Sequence, residues 1–278
     1  MSISAAEVNK LRQLTGAGLM DCKKALTESN GDLDVAVDLL RAKGAKISAK
    51  RADRSASEGA IIAITNKVNS IGVVVELNCE TDFVGKNEGF VTLATNIAHV
   101  ALENKAKSKE ELMELSIDGV TIKARLLDEM AKIGEKIELG AYGSVEGTNV
   151  VSYIHGGNKL GVLVNLNNPG NDSNREAGKD VAMQIAAMNP IALNESSVSA
   201  ETIERELAVG REQALSEGKP EQIVEKIAQG KLNKFYKDNT LMRQDFVKDG
   251  SKSVEKMLSE VESGLTVTDF CRIQLGAS

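Results

Sequence analysis

A chain of 278 residues with 42% hydrophobic but only 3% aromatic side chains is long enough for two or three compact units, whose cores have to be aliphatic. No apolar run approaches the roughly 20 residues that span a bilayer, and the opening Met1-Ser2-Ile3-Ser4-Ala5-Ala6-Glu7 carries neither a secretory nor an organelle signal, so a cytoplasmic protein away from membranes is expected. The net charge of −6 leaves no overall basic character, and Cys22, Cys79 and Cys271, odd in number and without Cys-x-x-Cys spacing, exclude a disulfide framework or a structural zinc site in favour of buried thiols.

Ser4 and Glu7 form a capping box, and Val8, Leu11 and Leu14 supply the stripe of a first helix. Thr15-Gly16-Ala17-Gly18 breaks it, a second helix is predicted over 19–29, and Asn30-Gly31-Asp32 restarts the chain into a third with Leu33, Val35, Ala36, Leu39 and Leu40. The Thr-Gly-Ala-Gly segment reads as an interhelical turn, since it is too short for a nucleotide-binding fingerprint. Three short helices cannot hold a catalytic cleft, and a docking module is the role that fits. Residues 1–54 carry 10 positive and 7 negative groups, and the excess sits in Arg41, Lys43, Lys46, Lys50, Arg51 and Arg54, where the apolar period fades. That reads as a solvated linker or helix end. A nucleic-acid face would interleave aromatics, and none occurs in 1–54, so no direct nucleic-acid contact is expected.

An apolar strand-like run at 72–80 follows, and then Thr81-Asp82-Phe83-Val84, which puts Phe83 on a loop. In a chain with 5 Phe and no Trp, an aromatic there is a core plug or a wedge for a partner, and the usual burial of Phe favours the plug. The run 71–78 repeats at 160–167 with Gly, Val, Val, Leu and Asn identical, and each copy has a strand-like run before it and a helix after it, Asn96-Ile97-Ala98 answering Gln184-Ile185-Ala186. The expected class is therefore α+β, with two related antiparallel hairpin-plus-helix units. Only the first copy carries Thr81-Asp82-Phe83-Val84; the second has the ordinary turn Asn168-Pro169-Gly170-Asn171-Asp172. From 199 to 236 a helical hairpin is predicted, with Ile203, Leu207, Gly210 and Ala214 facing Val224, Ala228, Leu232 and Phe235 across Gly218-Lys219-Pro220. Such a hairpin either zips to itself or pairs with a second copy. The expected division is 1–54, 55–140 and 141–278, the hairpin being an insertion in the last.

Enzymatic readings find little support. His99, on an apolar helical face, and His155, at a hairpin turn, have no ligand-spaced neighbours. The Gly-rich stretch from His155 to Gly161 lacks the order of a P-loop, and no Gly-x-Ser-x-Gly elbow occurs. No catalytic residue, metal or cofactor is expected. The rival readings are an enzyme that binds a phosphorylated metabolite at Gly157-Asn158-Lys159, and a passive scaffold.

The stretch 11–26, Leu-Arg-Gln-Leu-Thr-Gly-Ala-Gly-Leu-Met-Asp-Cys-Lys-Lys-Ala-Leu, resembles the opening of the elongation factor Ts family. The likeness continues through Asn78-Cys79-Glu80-Thr81-Asp82-Phe83-Val84, Lys132-Ile133-Gly134-Glu135, residues 155–164, Gly218-Lys219-Pro220 and Phe246-Val247-Lys248-Asp249, in order and over nearly the whole chain. The resemblance implies a ubiquitin-associated-like N-terminal bundle, a core of two related subdomains, and a hairpin that makes a homodimer in some members. It implies guanine-nucleotide exchange on the GTPase elongation factor Tu, with no chemistry of its own and no cofactor. Within Thr81-Asp82-Phe83-Val84, the Asp82-Phe83 pair is implied to enter the GTPase and release first Mg²⁺ and then GDP. Arg12, Leu19 and Met20 are implied to dock on the GTPase domain, with His155 near the core contact; Leu19 stands where Met is common. Some relatives continue into a further C-terminal helix, whose contact is expected to be absent or reduced here.

Overall fold

The computed structural model describes residues 3–277. The chain opens with α1 (Ala5–Thr15), α2 (Leu19–Glu28) and α3 (Leu33–Lys50). It continues through β1 (Glu58–Thr65), β2 (Ile71–Cys79), α4 (Asp82–Gly85), α5 (Glu88–Asn104), α6 (Lys109–Glu114), β3 (Ser116–Ile117), β4 (Val120–Thr121), α7 (Ile122–Ile133) and β5 (Ile137–Glu146). The second half comprises β6 (Asn149–His155), β7 (Leu160–Leu166), α8 (Asp172–Met188), α9 (Ala200–Ser216), α10 (Glu221–Asn239), β8 (Asp245–Phe246), β9 (Asp249–Ser253), α11 (Val254–Val261) and β10 (Val267–Gln274). The fold is mixed α+β. No helix among the described residues is long and apolar enough to cross a membrane.

Each repeat lies at the centre of its own three-stranded antiparallel sheet, ordered β1-β2-β5 and β6-β7-β10. Along β2 the side chains alternate as the pleat requires. Val73, Val75 and Leu77 face Phe90, Ile97 and Ala101 of α5 and Leu126 and Met130 of α7. Val74 joins Ile61, Val145, Val150, Leu163 and Ile273 in an apolar layer shared by the two sheets. The outer face of the second sheet is covered by Val181 and Ile185 of α8 and Met257 and Leu258 of α11. Both central strands are therefore buried along their whole length. The glycine identical in the two copies has a steric reason: a Cβ on Gly72 would stand 2.8 Å from Val150, and one on Gly161 2.7 Å from Ile61. The strand β5 runs across residue 140, so a division at 140 would cut a strand of the first sheet.

The capping box forms as the sequence predicts, with the Ser4 N–H donating to Glu7 at 2.7 Å and the Glu7 N–H to Ser4 at 3.3 Å. Val8, Leu11, Cys22, Leu26, Ala36 and Leu40 fill the bundle core. Leu14 and Val35 do not; Leu14 is 64% exposed. A seam between three helices, two of them short, is narrow, and α1 fills its share with Val8 and Leu11.

The basic stretch after Leu40 is not a solvated linker. The helix α3 runs on to Lys50, and its second half packs against α7. Its apolar period fades because the contact is made by small residues: a Cβ on Gly44 would run into the Leu127 carbonyl and reach within 3.3 Å of Ala131. Beside it Arg41 pairs with Asp128 at 3.5 Å, and burial pushes that carboxyl up. The hairpin forms from α9 and α10 with Gly210, Ala214, Val224, Ala228 and Leu232 in the seam, but Tyr236 rather than Phe235 is buried at its base, against Ala192 and Val198.

Gly44→Val forces α3 away from α7, an overpacking cost of about 1–3 kcal/mol. Amide hydrogen exchange should show α1–α3 losing protection while β2 keeps it. Equal protection in the two proteins would show that the contact is not tight.

Candidate partner-binding site

The chain leaves the buried end of β2 at Cys79 and turns at once into the four-residue helix α4, so Phe83 lies on a helical turn and not on a loop. Thr81 caps that turn, its hydroxyl accepting the Val84 N–H at 3.5 Å. Thr81 is itself held: its N–H and hydroxyl donate to the two oxygens of the Glu135 carboxylate at 3.1 and 2.8 Å. The Cys79 thiol, which burial with Glu135 nearby pushes up to about 12, stays protonated and donates to the Thr81 carbonyl at 3.1 Å. At the far end a Cβ on Gly85 would stand 3.0 Å from the Gly59 backbone, so the turn rests directly on β1. Val84 packs on the core beneath the first sheet.

Phe83 points away from all of this and is 84% exposed. It is no core plug. Of the other four Phe, Phe90 and Phe246 are buried and Phe235 and Phe270 half-buried. Asp82, next to it, accepts from Lys86 at 2.6 Å, and that bond holds its carboxyl below the usual carboxylate range. A carboxylate and a bare aromatic ring are thus offered side by side on a turn fixed at both ends.

Two further groups flank the turn. On the bundle, Met20 and Leu19 are 72% and 51% exposed at the start of α2, and Arg12 and Leu14 are exposed on α1. The Gly16 turn between these helices abuts the Lys132 side chain, in the last turn of α7, and three residues later Glu135 holds Thr81. From the other side, His155 ends β6 and bonds the Tyr153 hydroxyl through Nδ1 at 2.9 Å. Its hairpin turn brings Lys159 to Glu58 at 2.6 Å, beside the Gly59 on which α4 rests. Bundle, α4 turn and His155 turn are therefore joined by contacts, although they lie far apart in sequence. Neither histidine sits among metal ligands: His99 is exposed rather than on an apolar face, and the described residues hold no group of three His, Cys, Asp or Glu able to bind a metal.

The family model described as elongation factor TS matches residues 80–277. Proteins called elongation factor Ts match essentially end to end: one from Cytophaga hutchinsonii is 52% identical over 99% of both chains, one from Amoebophilus asiaticus 51% over 100% of both, and one from Flavobacterium psychrophilum 50% over 99% of both. The chain belongs to the elongation factor Ts family. It is thus related throughout to translation elongation factors, and the family match begins at Glu80, just ahead of α4.

Three residues here are not legible in the sequence. The spacing of Leu14 places it in the core stripe of α1, and Glu80 and Glu135 carry no local signal of their long-range bonds. The arrangement makes a stability prediction. Phe83→Ala should change the folding free energy by no more than about 0.5 kcal/mol, as expected at an exposed position. Val84→Ala, which removes two methyl-sized groups from a packed site, should cost about 1.5 kcal/mol. Denaturant melts decide; a loss of several kcal/mol for Phe83→Ala would return Phe83 to the core.

Proposed function

We propose that the chain promotes guanine-nucleotide exchange on elongation factor Tu during translation elongation in the cytoplasm, with Phe83 as a wedge and no chemistry of its own. The observation that carries this is the exposure of Phe83 on a turn braced at both ends. An exposed aromatic gains contact only by entering a partner, and a braced turn cannot fold it back. Asp82 and Phe83, set between Thr81 and Val84, enter the GTPase beside its nucleotide site; a packed element there shifts, Mg²⁺ leaves, and the phosphates of GDP lose their compensating charge. Factor and GDP then weaken each other's binding reciprocally, and each tenfold of weakening takes about 1.4 kcal/mol of differential contact.

In this reading residues 1–54 are the ubiquitin-associated-like docking domain, which seats the GTPase on Arg12, Leu19 and Met20, and the two sheets with their helices are the core subdomains, which add His155. Membership of the elongation factor Ts family supports it, and so does the clustering of these groups around the wedge turn. The metabolite-binding alternative is disfavoured by one contact: Lys159 is already paired with Glu58 at 2.6 Å, so a phosphate would have to displace a carboxylate.

Stopped-flow release of fluorescent GDP from elongation factor Tu is the test. Phe83→Ala should slow stimulated release by about 10- to 100-fold, since an aromatic anchor contributes about 2–4 kcal/mol. Asp82→Ala should lose less, being a solvated charge at the rim. Met20→Ala should chiefly weaken complex formation. Normal exchange by a folded Phe83→Ala protein excludes the wedge, and binding without faster release would leave only a scaffold.

A homodimer through the hairpin has an observation of its own: Val209, Leu215 and Ile223 remain exposed outside the seam. Leu215→Glu combined with Ile223→Glu should lower the mass seen by light scattering and leave exchange intact. A protein already monomeric before substitution rules the dimer out.

A further inference from the structure

Glu80, the residue before the wedge turn, has no part in the reading above, yet its side chain is only 10% exposed and bonded on every side. Its Oε1 accepts the Lys136 N–H at 2.7 Å and the Arg51 guanidinium at 2.5 Å, while Oε2 accepts from Arg54 at 3.4 Å. Burial pushes this carboxyl up, but the Lys136 amide and the two arginines outweigh it and hold it below the ordinary glutamate value. Arg51 and Arg54 belong to the segment that leaves α3, the exit of the bundle. Lys136 grips the same segment by its backbone, its Nζ donating to the carbonyls of Ala52 and Arg54 at 3.3 and 3.2 Å. One residue further on, the direction reverses: Glu135 accepts from the Thr81 amide and hydroxyl. Residues 80–81 and 135–136 thus hold each other in a reciprocal clasp, and the exit of the bundle is bolted to it.

We propose that Glu80 is a positioning residue for nucleotide exchange, locking the exit of the docking bundle to the base of the wedge turn so that a partner seated on the bundle meets Phe83 at a fixed offset. The inference rests on the exchange reading. Its physical content is preorganisation: a joint that is rigid before binding spares the complex the ordering cost of aligning two contact sites. A largely covered carboxylate facing two guanidinium groups suits that role, because removing one partner leaves its charge less compensated and loosens the junction.

Glu80→Gln in the full chain keeps the shape of the side chain and an oxygen for the Lys136 amide, and removes the charge that holds the arginines. Amide hydrogen exchange should quicken at 51–54 and at 82–86 together, with the interior of β2 still protected. At saturating factor, stimulated GDP release should fall by about 3- to 10-fold, the range of a coupling contact. Arg51→Gln combined with Arg54→Gln removes the same pairs from the more exposed side, without a buried substitution, and should match it. In a Phe83→Ala background Glu80→Gln should add no further loss, because no wedge is left to position. Three results overturn the joint: faster hydrogen exchange at 51–54 alone, unchanged GDP release in both charge variants, or a full multiplicative loss on top of Phe83→Ala. Failure of the wedge reading itself looks different, since the single Phe83→Ala variant would then exchange normally, and Glu80 as a positioning residue would fall with it.

Discussion

The face-to-face contact of the two sheets is the constraint on which the rest depends. An aromatic-poor chain has few bulky side chains with which to fill space, so its core stability has to come from many close aliphatic contacts. Glycine at 72 and 161 lets the central strands come together across the shared layer of Ile61, Val74, Val150, Leu163 and Ile273. With both faces covered, β2 and β7 become the buried axes of one body, and what leaves their ends is aimed by that body. The same repeat yields an ordinary turn after β7 and a braced one-turn helix after β2. The difference lies in the residues that follow the strand, not in the strand itself.

Bracing and exposure belong together at the α4 turn. An exposed Phe on a mobile loop would cover its ring against its own surface. Here Glu135 on the cap, Gly59 under Gly85 and Val84 in the core leave α4 no such freedom, and the ring stays in water. The hydrophobic contact that Phe83 does not make within the chain is what it has available for a partner. The surrounding charges are paired nearby, Asp82 with Lys86 and Lys159 with Glu58, which leaves the ring as the unsatisfied group.

The bundle is attached by a different physics from the one that holds the core. Its own interior is a narrow aliphatic seam, while its contact with α7 combines a glycine approach with the Arg41–Asp128 pair, and its exit is held by charges at Glu80. Small residues and paired charges leave almost no hydrophobic period, which is why this stretch reads as a solvated linker when only apolar spacing is followed. A run of Lys and Arg is ordinarily a solvated face. Here acidic residues at 80 and 128, distant in sequence, meet Arg51, Arg54 and Arg41.

What the sequence determined by itself was everything that rests on local or periodic signals. The Ser4–Glu7 box and the breaks at Gly16 and Asn30-Gly31-Asp32 mark the first two helices and the start of the third; the repeated Gly-Val-x-Val marks the two central strands, and Gly218-Lys219-Pro220 the hairpin turn. The family resemblance followed from the same motifs, and the end-to-end matches bear it out. Tertiary structure alone decided whether Phe83 is covered, where α3 stops, that Tyr236 and not Phe235 closes the hairpin base, and that Glu80 and Glu135 clasp residues more than fifty positions away. The reason is physical. Caps, turns and amphipathic periods are interactions within a few residues, readable in one window of sequence, whereas burial and the pairing of charges depend on which distant surface the fold brings opposite.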